Sequence, residues 1–252
     1  MIRSLYTLNR NMNVLQKKQE NVSANITNVN TVGYKFQDMV QSTLESKEMV
    51  NFTAGRNENL EHRLGGYVYG NQLDQVYTDF SQGSLVQTDK TTDFAIIDRG
   101  FFVIEMGNGQ YGYTRNGNFK ISNEGILTTL DGYSVMGIDE NGQLEQIPIQ
   151  NNEVHIDNRG FFPEEEIYLL VVDFEDYTNL RTIGNTIFTS EAEAYNRVNG
   201  EVRQGYVEAS NVQVADELIR MIEISREFES NQKLLHAADE TLNKAVNELG
   251  RL

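Results

Sequence analysis

The sequence has no cysteine, no tryptophan and only 2 prolines. Without cysteine there can be no disulfide, no thiol nucleophile and no Cys-ligated metal. The same absence suits an exported chain that must not cross-link, although many cytosolic proteins share it. With proline scarce and glycine at 20, turns must be made by glycine. No run of about 18 apolar residues occurs, so no membrane insertion is expected. The first residues, MIRSLYTLNRNMN, show neither a continuous apolar segment nor a cleavage signal, so no cleaved signal peptide is expected. Positive charge is also short. The 21 Lys and Arg face 37 Asp and Glu, a net charge of -16, which excludes nucleic acid as a partner because phosphate binding needs a basic surface.

What is present is a chain of 252 residues, enough for one or two domains with a core. Its charge is unevenly placed. Residues 1–35 hold five Lys/Arg against one Glu, and residues 206–252 hold five against nine acids, so two ends of opposite sign flank an acidic body. The ends can pair electrostatically as well as through apolar contacts.

Both ends have helical period. Leu5, Leu8, Met12, Leu15, Gln19, Val22, Ile26 and Val29 follow 3-4 alternation, a heptad seam with one polar guest, and Gly33 stands where a C-terminal stop belongs. Met221, Ile224, Phe228, Asn231, Leu235, Ala238, Leu242, Ala245 and Leu249 repeat it over a helix of about 212–249, with Asn211 or Ser210 as N-cap. Neither stripe is buried by its own helix, so the two must pack on each other or on neighbouring molecules.

Between them the period changes to two. Phe94–Ile97 and Phe101–Glu105 read as strands, turn signals recur at 107–109, 116–117, 124–125, 131–132 and 141–142, and IYLLVVDF (167–174) reads as a buried strand. The expected fold is mainly β with long terminal α-helices, a compact antiparallel β domain inserted between N- and C-terminal coiled-coil-forming helices. Its parts are an N-terminal helix and Asn-rich segment at 1–35, an extended connector at 36–75 with one hairpin near Gly65–Gly70, a β domain at 76–205, and a C-terminal helix at 206–252.

Chemistry is hard to find. GNGQYG (107–112) matches a dinucleotide-binding glycine pattern but is followed by a strand, and without a helix N-terminus nothing holds a pyrophosphate. DENGQLE (139–145) resembles part of a calcium loop, but Gly142 falls at position 4 rather than 6. His62, His155 and His236 are isolated, and Glu164–Glu166 read as a solvated turn. No catalytic residue, cofactor or metal is expected. From the residues alone the choice lies between a structural assembly part and a secreted cell-wall carbohydrate hydrolase or adhesin with a helical oligomerisation stalk.

ANITNVNTVGYK (24–35) resembles the N-terminal signature of the bacterial flagellar rod and hook proteins, in which an Asn-rich segment runs into T-P-G-Y-K. The segment beginning GYVEASNVQVADELIRMIEISREFESNQ, from Gly205, resembles the family's C-terminal signature, and DFSQGSLVQTDKTTDFAIIDRGFFVIEMG, from Asp79, opens a stretch to Gly137 that looks like the β domain of its rod proteins. Val32 stands where the family has Pro, and Asp98–Arg99 precede Gly100 where a Gly-containing turn is usual.

The resemblance implies a structural subunit of the basal-body rod, of the proximal or distal type, with a short hook-type protein as the alternative within the family. It implies export unfolded through the flagellar type III apparatus, and polymerisation with itself and other rod and hook proteins into a tube that carries torque and the export channel. The implied assembly interface is the two seams, together with Asn25, Asn28, Gly33, Tyr34 and Asn211. Asn25, Thr27, Asn28, Asn30 and Thr31 would then hydrogen-bond neighbouring copies and set register.

Overall fold

The computed structural model describes residues 2–53, 60–107, 109–139, 141–149, 154–190, 196–197 and 201–249. Asn108 of the GNGQYG turn and Glu140 of DENGQLE lie outside the described residues, as does the side chain of Leu249. The chain divides into two compact units. One comprises Met1–Ile26, Gln37–Thr78 and Gln213–Leu252, and the other Thr27–Phe36 and Asp79–Val212.

The first unit holds the two helices, α1 (Ile2–Thr27) and α2 (Val214–Leu249), and four strands, β1 (Gln37–Thr43), β2 (Lys47–Thr53), β3 (Leu60–Tyr67) and β4 (Asn71–Thr78). β1 pairs antiparallel with β4, and β2 with β3. The segment expected to be an extended connector is thus a nested antiparallel ribbon. Gly65–Gly70 is not its turn: Gly65 and Gly66 are paired within β3, opposite Met49 and Glu48. Polarity hid these strands, because β4 is largely exposed and its ladder is held by backbone hydrogen bonds rather than by a buried face. Two side-chain bonds, Asn11 Nδ2 to Glu227 Oε1 and Asn25 Nδ2 to Glu217 Oε2, run between α1 and α2 and set them antiparallel.

The second unit is all β. Strands order as 161–162, 167–169, 134–139, 101–105, 111–114, 187–190 and 180–183 along the main path of a 12-stranded sheet, and neighbours along it pair antiparallel. The strand Phe101–Glu105 lies near the middle of that path and is buried on both faces. Its alternation divides the apolar interior in two. Phe102 and Ile104 join Phe94, Phe119, Leu127 and Phe162, whereas Phe101 and Val103 join Tyr113, Phe174 and Phe188. The predicted buried run 167–174 breaks at Leu170 into two strands, Ile167–Leu169 and Val171–Asp173, which pair with different neighbours.

Candidate assembly interface

On α2 the residues Glu217, Met221, Ile224, Phe228, Asn231, Leu235, Ala238, Leu242 and Ala245 are covered, each by spacing of four or three, while their flanks are mostly exposed. This is the stripe the sequence marks out, and Leu249 ends the helix. On α1, Leu5, Leu8, Met12, Leu15, Val22 and Ile26 are covered and the polar guest Gln19 is exposed. A second covered stripe runs beside it through Asn11, Val14, Lys18, Asn21 and Asn25. α1 stops at Thr27, so Val29 falls in the turn beyond it and not on the helical seam.

Asn25 is 0% exposed. Its amide Nδ2 donates to the Gln37 carbonyl at 2.8 Å and to Glu217 Oε2 at 2.9 Å, and its Oδ1 accepts from the Gln37 N–H at 3.3 Å. Asn21 donates to the same Gln37 carbonyl at 2.7 Å. Glu217, 1% exposed in the first turn of α2, also meets Arg220 at 3.4 Å, and Arg220 meets Asp38 at 3.7 Å. These amides are buried beside the apolar seam because an aliphatic side chain could not supply the Gln37 backbone and the buried carboxylate with partners. The partners of Asn25 shown here belong to its own chain.

The tail of the same signature works in the second unit. Lys35 is buried at 1% exposed, and its Nζ lies 2.6 Å from Glu208 Oε1 and donates to the Ser81 carbonyl at 2.6 Å. Glu208, also 1% exposed, accepts from the Gly83 N–H at 2.8 Å and takes Arg115 at 3.3 Å on its other oxygen. The Arg115 guanidinium lies over the Phe101 ring, 5.4 Å from its centroid. Burial pushes the Lys35 ammonium down from its ordinary value, and the facing Glu208 carboxylate pulls it part of the way back. Burial likewise lowers Arg115.

Gly33 is left-handed at φ 70 and donates its N–H to the Glu208 carbonyl at 2.8 Å. A Cβ there would lie 2.3 Å from Asn116 N, so Gly33 serves a close backbone approach rather than the helix stop expected of it. Tyr34 is buried, and the Asn28 oxygen accepts from Thr31 Oγ1 and Asn185 Nδ2, each at 3.1 Å.

Asn211 does not cap α2, which begins three residues later. Its Oδ1 accepts from the Phe36 N–H at 2.7 Å, and its Nδ2 donates to the Asp79 carbonyl at 2.9 Å and to Ser81. The Asp79 N–H in turn donates to the Phe36 carbonyl at 2.9 Å. One side chain therefore ties together three of the four places where the chain crosses the boundary of this unit.

Glu208, Arg115, Gln37 and Glu217 were not marked out by sequence reasoning. A lone acid inside GYVEAS and a lone lysine closing GYK were the signals that they belong to one pair. Among the described residues no three His, Cys, Asp or Glu side chains gather as metal ligands. His62, His155 and His236 are all exposed. The Asp139 carboxylate accepts from the Gln143 N–H and the Asn141 amide, and those bonds hold it below the usual range as part of a turn.

Three family models match in chain order: Flagella basal body rod protein over residues 5–35, Flagellar hook protein FlgE/F/G D1 domain over 95–162, and Flagellar basal body rod FlgEFG protein C-terminal over 203–248. A flagellar basal-body rod protein FlgG of Bacillus subtilis is 32% identical over 269 residues, covering 98% of this chain and 99% of the relative. The chain belongs to the flagellar basal-body rod protein family. A FlgG of Borreliella burgdorferi is 31% identical over 272 residues, covering 98% of each chain. A flagellar hook-basal body complex protein FlhO of Bacillus subtilis is 29% identical over 283 residues, covering both in full at 100%. In this rod protein the 5–35 match ends on Lys35 and the 203–248 match contains Glu208, so the buried ion pair joins two family segments.

Proposed function

We propose that the chain is a structural, non-enzymatic subunit of the flagellar basal-body rod. Its near-complete alignment with FlgG rod proteins carries this reading, at 98% of this chain and 99% of the Bacillus subtilis relative. The hook-type alternative is less favoured, since the relatives of 30% identity or more that align along almost all of this chain are named rod proteins. The buried groups agree with the rod reading: the cluster of Lys35, Glu208 and Arg115 is closed from solvent and fastens chain segments to each other. In this reading the subunit leaves the cell through the flagellar type III export apparatus without a cleaved signal. It polymerises with itself and with other rod and hook proteins in the cell envelope through its terminal helices, whose seams, Leu5 to Ile26 on α1 and Met221 to Leu242 on α2, are largely covered in the single chain and whose outer faces remain exposed.

The test is to label the chain in isolated basal bodies and to delete it. The expected result is label confined to the axial shaft, with deletion strains non-motile and lacking filaments. Normal basal bodies and swimming in the deletion strain would overturn the reading.

A further inference from the structure

Among the described residues, four buried side-chain polar atoms have no hydrogen-bond partner: Arg115 Nε, Thr88 Oγ1, Asp93 Oδ1 and Asn118 Oδ1. The first belongs to the Glu208 cluster. The other three are oxygens from one place in the β unit. Asp93 and Asn118 form an antiparallel bridge. The Phe94 N–H donates to the Gly117 carbonyl at 2.9 Å, which makes Asp93 and Asn118 a non-hydrogen-bonded pair, with side chains on one face and at their closest. On the other side of Asp93, its carbonyl accepts from the Gly205 N–H at 2.8 Å, and the Thr88 N–H donates to the Gly205 carbonyl at 2.7 Å. The turn from Asp89 to Thr92 therefore starts and finishes at Gly205, and Thr88 and Asp93 are its two feet. Asp89, Lys90 and Thr91 are exposed, so solvent lies just beyond the feet.

Charge separates this place from the rest of the interior. Three carboxylates are buried among the described residues, Asp93, Glu208 and Glu217, each 1% exposed. Glu208 faces Lys35 and Arg115, and Glu217 faces Arg220. Asp93 forms no ion pair with any described Lys, Arg or His. A carboxylate oxygen and an amide oxygen can only accept. Two such acceptors on one face, one of them charged, call for an electron-poor partner. Water would satisfy their hydrogen bonds and leave the buried charge as it was, whereas a cation answers both.

We infer that Asp93, Asn118 and Thr88 hold a hard, calcium-like cation. Asp93 Oδ1 supplies the charge, Asn118 Oδ1 and Thr88 Oγ1 supply neutral oxygens, and water entering beside the exposed turn completes the shell. An all-oxygen donor set without nitrogen or sulfur suits calcium and not zinc. A single carboxylate puts the affinity at the weak end of calcium sites, about 0.1–1 mM. The ion ties the feet of the 89–92 turn to the strand that begins at Phe119.

The test is thermal unfolding of the full chain, first in EDTA and then in CaCl2 to about 10 mM, with NaCl and MgCl2 at matched ionic strength. Calcium should raise the midpoint saturably and by more than either control salt. Asp93→Asn should lose this rise, whereas Asp139→Asn, in an exposed turn, should keep it. No rise in the unmodified chain, or one that magnesium matches, overturns the inference. An equal rise in Asp93→Asn also overturns it, since surface carboxylates alone would then bind the ion. If Asp93→Asn does not fold, Asn118→Asp decides. A second carboxylate beside the first should lower the midpoint in EDTA and tighten calcium binding about tenfold, because affinity follows ligand charge. A loss of stability that calcium does not repair would overturn the inference and make Asn118 a hydrogen-bond donor to Asp93.

Discussion

Lys35 is buried in a place where lysine is almost never found, and Glu208 is its charge partner there. One carboxylate serves two buried cations, so removing its charge leaves both uncompensated. Glu208→Gln should lower the unfolding free energy of the full chain by about 3–5 kcal/mol in a denaturant titration. An unchanged midpoint would mean that the pair is stabilised from elsewhere. Tyr177 reports on the neighbouring aromatic cluster. Its hydroxyl donates to Asp173 at 2.6 Å, and burial together with that bond pushes its pKa up to about 12 from an ordinary 10.0. A pKa raised by folding contributes stability that is complete below the ordinary value and lost as pH rises through the folded one. An alkaline titration followed by phenolate absorbance should therefore show a tyrosine ionising near pH 12 that disappears in Tyr177→Phe.

At the scale of elements, Gly33 is the position where local sequence and tertiary demand part company. Gly33→Ala places a methyl against Asn116 in a left-handed conformation, and should cost at least about 2 kcal/mol by thermal unfolding, since strain and overlap add. A near-neutral change would show that the 115–116 backbone gives way. The stripe on α2 was legible because periodicity and burial are the same fact there: one face is covered and the rest is wet. The end of α1 was not, because a glycine that admits a neighbouring backbone looks like a glycine that stops a helix. The ribbon was missed for a related reason. Alternation betrays a strand only when one side is buried, and β4 has little buried on either side. The terminal signature was legible as a family mark, whereas the pairing of Lys35 with Glu208 depends on residues 173 apart in sequence.

At the scale of the molecule, two kinds of contact should separate experimentally. The amide of Phe36, held by Asn211, and that of Asp79, held by Phe36, lie inside the second unit and should resist hydrogen exchange in the free subunit. Under the rod reading, amides of α1 and of the first turns of α2, where Ile222 is exposed in the single chain, should gain further protection in isolated basal bodies. Mass spectrometry on the two samples checks this. Equal exchange of α2 in both would count against burial of its outer face on assembly.

The knot at Asn211 has an evolutionary reading. Phe36, Asp79 and Asn211 are lashed together within 2.9 Å at each bond, so the stretch from Asp79 to Asn211 begins and finishes at a single spot. Such a stretch is an appendix on a closed collar: away from Arg115, Asn116, Asn185 and Glu208, which hold residues 28–35, its turns can lengthen or shrink without altering the path of the chain through the collar. Diversification within such a lineage would then concentrate in those turns, and the same turns offer insertion sites for displaying a foreign segment.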